Sequence, residues 1–367
     1  MISERTRFLI VGGGLAGLLL AWRLRDQDIL VLGGNRLPPA SDVSAGVLNP
    51  VTGGRLTLME DFNLYRDAAR TLYREIPGGE NHFFEATIRR YFVNDLEIER
   101  FEERKEIPHY QPYLGSRLPP GVPGAIQDDP LGSFPIHDVG RVEPIPILAA
   151  IRKELGERYR PVDADWQTFT ESPSGLSLNN IKADFIICCE GVGVLANPQF
   201  RWLPFRPVQG ETLTVHLPHL PDFSEILHHH KWVIPLGEKK FRIGSTYRRG
   251  PSRKEGVEAP TKAPQSARTQ EGRDELLRAC REMFGLDQDP EILDHRAGIR
   301  PCSRDRVPYL GPHPNQSQLY ICNGLGSKGA LFAPKLTQHL ADHLLKNAPL
   351  DKAYAPARMI RRGFSPQ

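Results

Sequence analysis

The chain has 367 residues, 25% of them charged, with 47 basic and 44 acidic side chains and a net charge of +3. That length exceeds one ordinary core and points to two domains, or to one domain carrying a large insertion. The charge balance is too slight to argue for nucleic acid or a membrane surface as the partner, and 33 prolines imply much irregular loop.

The five cysteines, Cys188, Cys189, Cys280, Cys302 and Cys322, show no C-x-x-C spacing. No metal site is expected, and reduced, buried thiols fit a reducing compartment. The run 8–22 is largely apolar, but glycines interrupt it and no small-residue cleavage pattern follows. It is too short to span a bilayer. It reads as core, with no transmembrane segment, and the protein is expected to be cytoplasmic.

In chain order, residues 8–11 form a short apolar strand, as one buried on both faces should be. Gly12, Gly14 and Gly17 then spell G-x-G-x-x-G and lead into an apolar helix through Leu24, and residues 28–32 form the next strand. Strand, glycine turn, helix and strand within about 30 residues is the context that makes this motif a dinucleotide site. The glycines permit a tight turn, close approach to a pyrophosphate and helix-on-strand packing, with the phosphate charge on the helix N-terminus through Leu15 and Ala16. The second strand should end on an acid that grips a ribose, yet it ends on Gly33, Gly34 and Asn35.

A helix is expected over about 59–76, then short strands and proline-rich loops over about 80–135, and a helix in "RVEPIPILAAIRKELGERY". Residues 185–189 read as a buried strand closed by a turn at Gly191. Residues 208–247 carry short alternating strands and imply an antiparallel sheet. A polar, mobile loop is expected over 251–269 and an amphipathic helix over 271–284. The end returns to α/β character: a strand over 319–322, a glycine-rich turn, and a helix with Pro334 in its first turn. The histidine run 228–230 reads as solvated surface, because adjacent strand residues face opposite ways.

The ordered blocks "VGGGLAGLLLAWRL", "ADFIICCEGV", "FRPVQGE", "WVIP…FRIGSTY", "AGIRPCSRDRVPYLGP" and "NGLGSKGALFAP" resemble the D-amino-acid oxidase-like family of flavoproteins. That family includes glycine and sarcosine oxidases, and the last two blocks are similar to the flavin domain of a bifunctional tRNA-modifying enzyme. The resemblance implies an α/β (α+β overall) chain: a Rossmann-like FAD-binding domain from 1–80, 140–205 and 295–367, and a substrate-binding antiparallel sheet domain from 81–139 and 206–294. It implies FAD as cofactor and oxidation of the C–N bond of an amine or amino acid, with the imine then hydrolysed and oxygen or another acceptor taking the electrons. The absent acid at Gly33–Gly34 departs from the family pattern. A charged hydrogen bond lost there costs about 1–2 kcal/mol, which weakens an exchanging nicotinamide more than a resident flavin.

The same resemblance assigns the site. Arg300 would hold a substrate carboxylate bidentately. Lys328 lies in the turn Gly324, Gly326, Ser327, Lys328, Gly329, Ala330, where a helix N-terminus would face the flavin's pyrimidine edge. Ser44, Ala45, Gly46 and Val47 would wrap the flavin ring and ribityl chain, with Asn49, Thr52 and Arg55 as weaker candidates. Trp166, Cys189 and Gly191 would flank the adenosine, with Gly34 and Asn35 in place of the ribose acid, and Gly298 beside Arg300. Trp232 and Tyr247 would shape the substrate pocket. Covalent attachment through Cys302 is disfavoured by its spacing to Asp305. Open alternatives are action on carboxymethylaminomethyl-uridine in tRNA, an NAD(P)-dependent dehydrogenase, and flavin binding without catalysis.

Overall fold

Strand Glu4–Val11 runs through the middle of a sheet ordered Tyr309–His313, Gln316–Asn323, Ile181–Cys188, Glu4–Val11, Ile29–Leu32, Tyr159–Arg160. The structure, a computed structural model, describes residues 4–34, 40–121, 126–127, 129–173, 175–249 and 267–366. Four pairings of this sheet are parallel and the edge hairpin of Tyr309–His313 on Gln316–Asn323 is antiparallel. Ile29–Leu32 is buried at every residue, as a parallel strand covered on both faces must be.

Helix Leu15–Arg23 is buried from Leu15 to Trp22. It lies against helices Pro144–Leu155 and Gly329–Lys346, and Phe62–Glu75 packs on the latter. A helix apolar all round survives only inside such a layer.

The second sheet is ordered Arg248–Arg249, Val208–His216, Lys240–Gly244, Lys231–Gly237, Ile226–His229, Phe83–Tyr91, Ser133–Val142, Val47–Leu48, with Glu291–Arg300 also pairing with Val208–His216. It is antiparallel except where Ile226–His229 meets Phe83–Tyr91 in parallel. Those two strands come from distant parts of the chain, so no hairpin fixes their direction. Helix Gln270–Phe284 covers this sheet with Leu276, Leu277, Cys280, Met283 and Phe284. Thr269 caps it, its Oγ accepting from Gly272 N at 2.9 Å. The five cysteines are unbridged, and no helix among the described residues is long and apolar enough to cross a membrane.

Three local expectations are corrected. Within 80–135 a helix, Asp95–Lys105, replaces loop. Its start is an Asn94 cap on Glu97 N at 3.0 Å, while the Glu97 carboxylate is buried against Arg90; with Phe101 the one buried apolar residue, it lacks the apolar stripe that reveals a helix. Pro334 lies inside helix Gly329–Lys346, not in its first turn. The amide it lacks would have reached the Ala330 carbonyl, and the buried Tyr73 hydroxyl donates to that oxygen at 2.8 Å instead. His228 is partly buried rather than a free surface residue, and it lines a cavity. Most of the expected mobile loop, and Asn35, lie outside the described residues.

Tyr73→Phe leaves the Ala330 carbonyl buried without a donor and should cost about 1–3 kcal/mol. Denaturant unfolding of the two proteins measures it; equal stability would show that the proline-interrupted turn needs no substitute donor.

Candidate functional site

The glycine turn sits where three strand ends converge. Gly12 N donates to Leu32 O at 2.8 Å, Gly13 N to Gly33 O at 3.2 Å, and Cys189 N to Val11 O at 2.6 Å. Gly12 has φ +124°, and a β-carbon there would collide with the Cys189 carbonyl. Only glycine meets both conditions. Helix Leu15–Arg23 then begins with no side-chain cap from Gly14 and no acid in its first turn. Ser41 Oγ accepts from Leu15 N at 3.0 Å. Exposed amides and the helix dipole together make an anion site.

These amides open onto a cavity of about 960 Å³ that reaches from the glycine turn to the second sheet. Of the expected residues, Gly12, Gly14, Leu15, Ala16, Gly34, Ser44, Ala45, Gly46, Val47, Trp166, Cys189, Gly191, Trp232, Tyr247, Gly298, Arg300, Gly326, Ser327, Lys328 and Gly329 line it, as do Asn49 and Thr52. Gly17, Gly324, Ala330 and Arg55 do not. Gly17 packs against the Gly12 carbonyl and Gly324 against Tyr309, Ala330 is buried with its carbonyl on Tyr73, and Arg55 is exposed. Ser44 Oγ accepts from Gly46 N at 3.1 Å, tightening the loop it belongs to. Cys302 lies outside the lining, its sulfur facing Gly326.

Arg300 ends strand Glu291–Arg300 with its guanidinium laid over Gly210, in the space where a β-carbon there would stand. Its Nη2 donates to Ser245 Oγ at 2.6 Å, and the group lies 5.8 Å from the Tyr247 ring centroid. Nη1 is buried without a partner. Burial pushes its pKa down, with Cys302 and Tyr247 opposing. Lys328 precedes the last helix, which also begins without a side-chain cap or an acid in its first turn. Burial pushes the Lys328 ammonium down. Desolvated cations of this kind need an anion to be well solvated again.

Sequence reasoning missed Glu190. Its carboxylate accepts from Trp166 Nε1 at 2.8 Å and Asn197 Nδ2 at 2.7 Å, and burial pushes it up to about 7. His228 also lines the cavity, in register with Arg90 on the neighbouring strand. Burial pushes its imidazole down to about 3. An acid after a buried strand is a weak signal by itself, and nothing local reveals what the histidine run faces.

The family model described as FAD dependent oxidoreductase matches residues 7–343. The chain belongs to that family. It is 24% identical over 389 residues to glycine oxidase of Bacillus subtilis (strain 168), covering 96% of this chain and 96% of that protein. It is 25% identical over 381 residues to a tRNA 5-methylaminomethyl-2-thiouridine biosynthesis bifunctional protein of Caulobacter sp. (strain K31), covering 97% of this chain and 58% of that one. The crystal structure of glycine oxidase from Geobacillus kaustophilus superposes with a TM-score of 0.79 at 18% identity, over 97% of this chain and 99% of that chain. The protein is therefore an enzyme, an FAD-dependent oxidoreductase, with a mixed α/β fold.

The residues present fit FAD. The Gly12 backbone cradle, two helix starts on one cavity without an acid in their first turns, and a lining of small residues at 44–46 suit a long dinucleotide with a pyrophosphate in its middle.

Glu190 gives a pH prediction. Its folded pKa lies above the unfolded value of 4.5, so its contribution to stability is fully present below that value and is lost as pH rises through about 7. The cofactor-free Glu190→Gln protein should lack this loss, on top of a constant cost, because Trp166 and Asn197 donate to different oxygens and the amide NH2 that replaces one of them cannot accept. Thermal midpoints of both proteins from pH 4 to 8 should diverge in that window; a constant difference would rule out the raised carboxyl.

Proposed function

We propose that the protein oxidises the C–N bond of a small amino acid or N-substituted amino acid whose carboxylate is held by Arg300. The carrying observation is the half-buried Arg300 guanidinium, aimed by Ser245 into the cavity and without an ion-pair partner among the described residues. A carboxylate is the bidentate partner that such a fork selects. The similarity to glycine oxidase supports an amino acid as substrate.

FAD supplies the two-electron acceptor when bound. In this reading Gly12, Gly14, Leu15 and Ala16 hold its pyrophosphate on the first helix start, and Ser44, Ala45, Gly46 and Val47 pack against the flavin. Cys189, Gly191, Gly34 and Trp166 border the adenosine. Gly326 to Gly329 bring the second helix start and Lys328 to the flavin, where positive potential favours the charge gained on reduction. Arg300 and Ser245 fix the substrate's carboxylate, and Trp232 and Tyr247 bound its side chain. Orientation and charge are the chain's share; the released imine hydrolyses in water. The parallel sheet and its helices act as the FAD-binding unit and the second sheet as the substrate unit. Unbridged thiols at all five cysteines support a cytoplasmic enzyme.

The test is a spectrum of the purified protein, then anaerobic bleaching with glycine, sarcosine, proline and D-amino acids, set against tRNA bearing carboxymethylaminomethyl-uridine. Bleaching by an amino acid is expected; bleaching by the tRNA alone would replace this reading. Arg300→Ala should lower kcat/KM for the accepted amino acid by about 100-fold or more, with partial recovery in Arg300→Lys. An unchanged kcat/KM would remove Arg300 from substrate binding.

A further inference from the structure

Dinucleotide folds of this kind take the adenosine ribose with a carboxylate at the end of the second strand. Here that position cannot carry one. A β-carbon at Gly33 would collide with the Tyr159 phenol, and Gly34 has φ +69°, where an L side chain is strained. The obstruction comes from the neighbouring strand, which pairs Tyr159 with Val31 and Arg160 with Leu32.

The pairing continues beyond both strands. Gly33 N donates to Arg160 O at 2.7 Å and Gly34 N to Val162 O at 3.0 Å. This carries residue 163 past the glycine pair, and Asp163 Oδ1 stands 3.1 Å from where the β-carbon of Gly34 would be. The loop is pinned from its other side: Asn179 Nδ2 donates to the Asp163 carbonyl at 2.8 Å, and Asn179 Oδ1 accepts from Asp165 N at 2.7 Å. Among the described lining residues the acids are Asp163 and Glu190. Glu190 follows strand Ile181–Cys188, whereas Asp163 is the acid that stands beside the end of the second strand.

We propose that Asp163 accepts the hydroxyls of the adenosine ribose of FAD, so that the acid missing from the second strand is delivered by the strand beside it. The proposal rests on FAD as cofactor and not on the amino-acid substrate, so a negative substrate panel leaves it standing.

The experiment measures FAD binding to the cofactor-free protein by quenching of flavin fluorescence. It uses FAD and an FAD analogue whose adenosine ribose lacks both hydroxyls. The wild-type protein should bind the analogue about 10- to 100-fold more weakly than FAD. Asp163→Ala should bind FAD more weakly by a similar factor and should no longer distinguish the two ligands. Glu190→Gln should keep the distinction. Equal binding of FAD and analogue by the wild type overturns the proposal even if Asp163→Ala does not fold. Continued discrimination by Asp163→Ala, or its loss in Glu190→Gln alone, overturns it as well.

Discussion

The structure is organised around two helix starts that receive no side-chain cap from the residue before them. At Leu15 the N-terminal amides follow a glycine that offers no side chain, and at Gly329 they follow a lysine. Ser41 Oγ takes the Leu15 amide; the remaining backbone donors call for an acceptor, and both helix starts line one cavity. The parallel sheet exists to bring them there. Its strands from the beginning, middle and end of the chain end side by side, so the turns that follow them meet.

The second sheet closes the cavity and brings a charge of its own. Arg300 reaches the cavity because Gly210, on the adjacent strand, leaves the space that its guanidinium occupies. Removing a cation from water without an acid beside it is costly. The arrangement is sustained by the Ser245 hydroxyl on one amine and the Tyr247 ring at 5.8 Å. In the proposed reading a bound carboxylate would complete it. The same argument explains why Lys328, pushed down by burial, stands at the start of the last helix, where the dipole adds to its potential.

What was legible in the sequence was local. Gly12, Gly14 and Gly17 announce a turn whose demands lie within a few residues, and buried runs such as Ile29–Leu32 have a periodicity of their own. The missing acid was also visible, as Gly33 and Gly34. Its cause was not, because Tyr159 and Asp163 reach those glycines only through strand pairing more than a hundred residues away in sequence. Helix Asp95–Lys105 escaped for a different reason: it is held by the Asn94 cap and the buried Arg90–Glu97 pair rather than by an apolar stripe. Tyr73 reveals its purpose only once Pro334 has freed a carbonyl on a helix far along the chain.

Charge is segregated along the cavity, and this segregation gives it direction. Asp163 and Glu190 lie by Gly34 and Gly191, at the ends of the second strand and of Ile181–Cys188. Arg300 and Lys328 come from the second sheet and from the turn before the last helix. An acid beside the second strand suits hydroxyls and exocyclic amines. Guanidinium and ammonium at the other end attract a carboxylate and repel a protonated amine. In the proposed reading, an amino acid entering there would be drawn by its acid while its ammonium met a positive field. That field favours loss of the amine proton, and a neutral amine is the form from which the C–N bond can be oxidised. In that reading, the charges proposed to bind the substrate would also bias it toward its reactive protonation state.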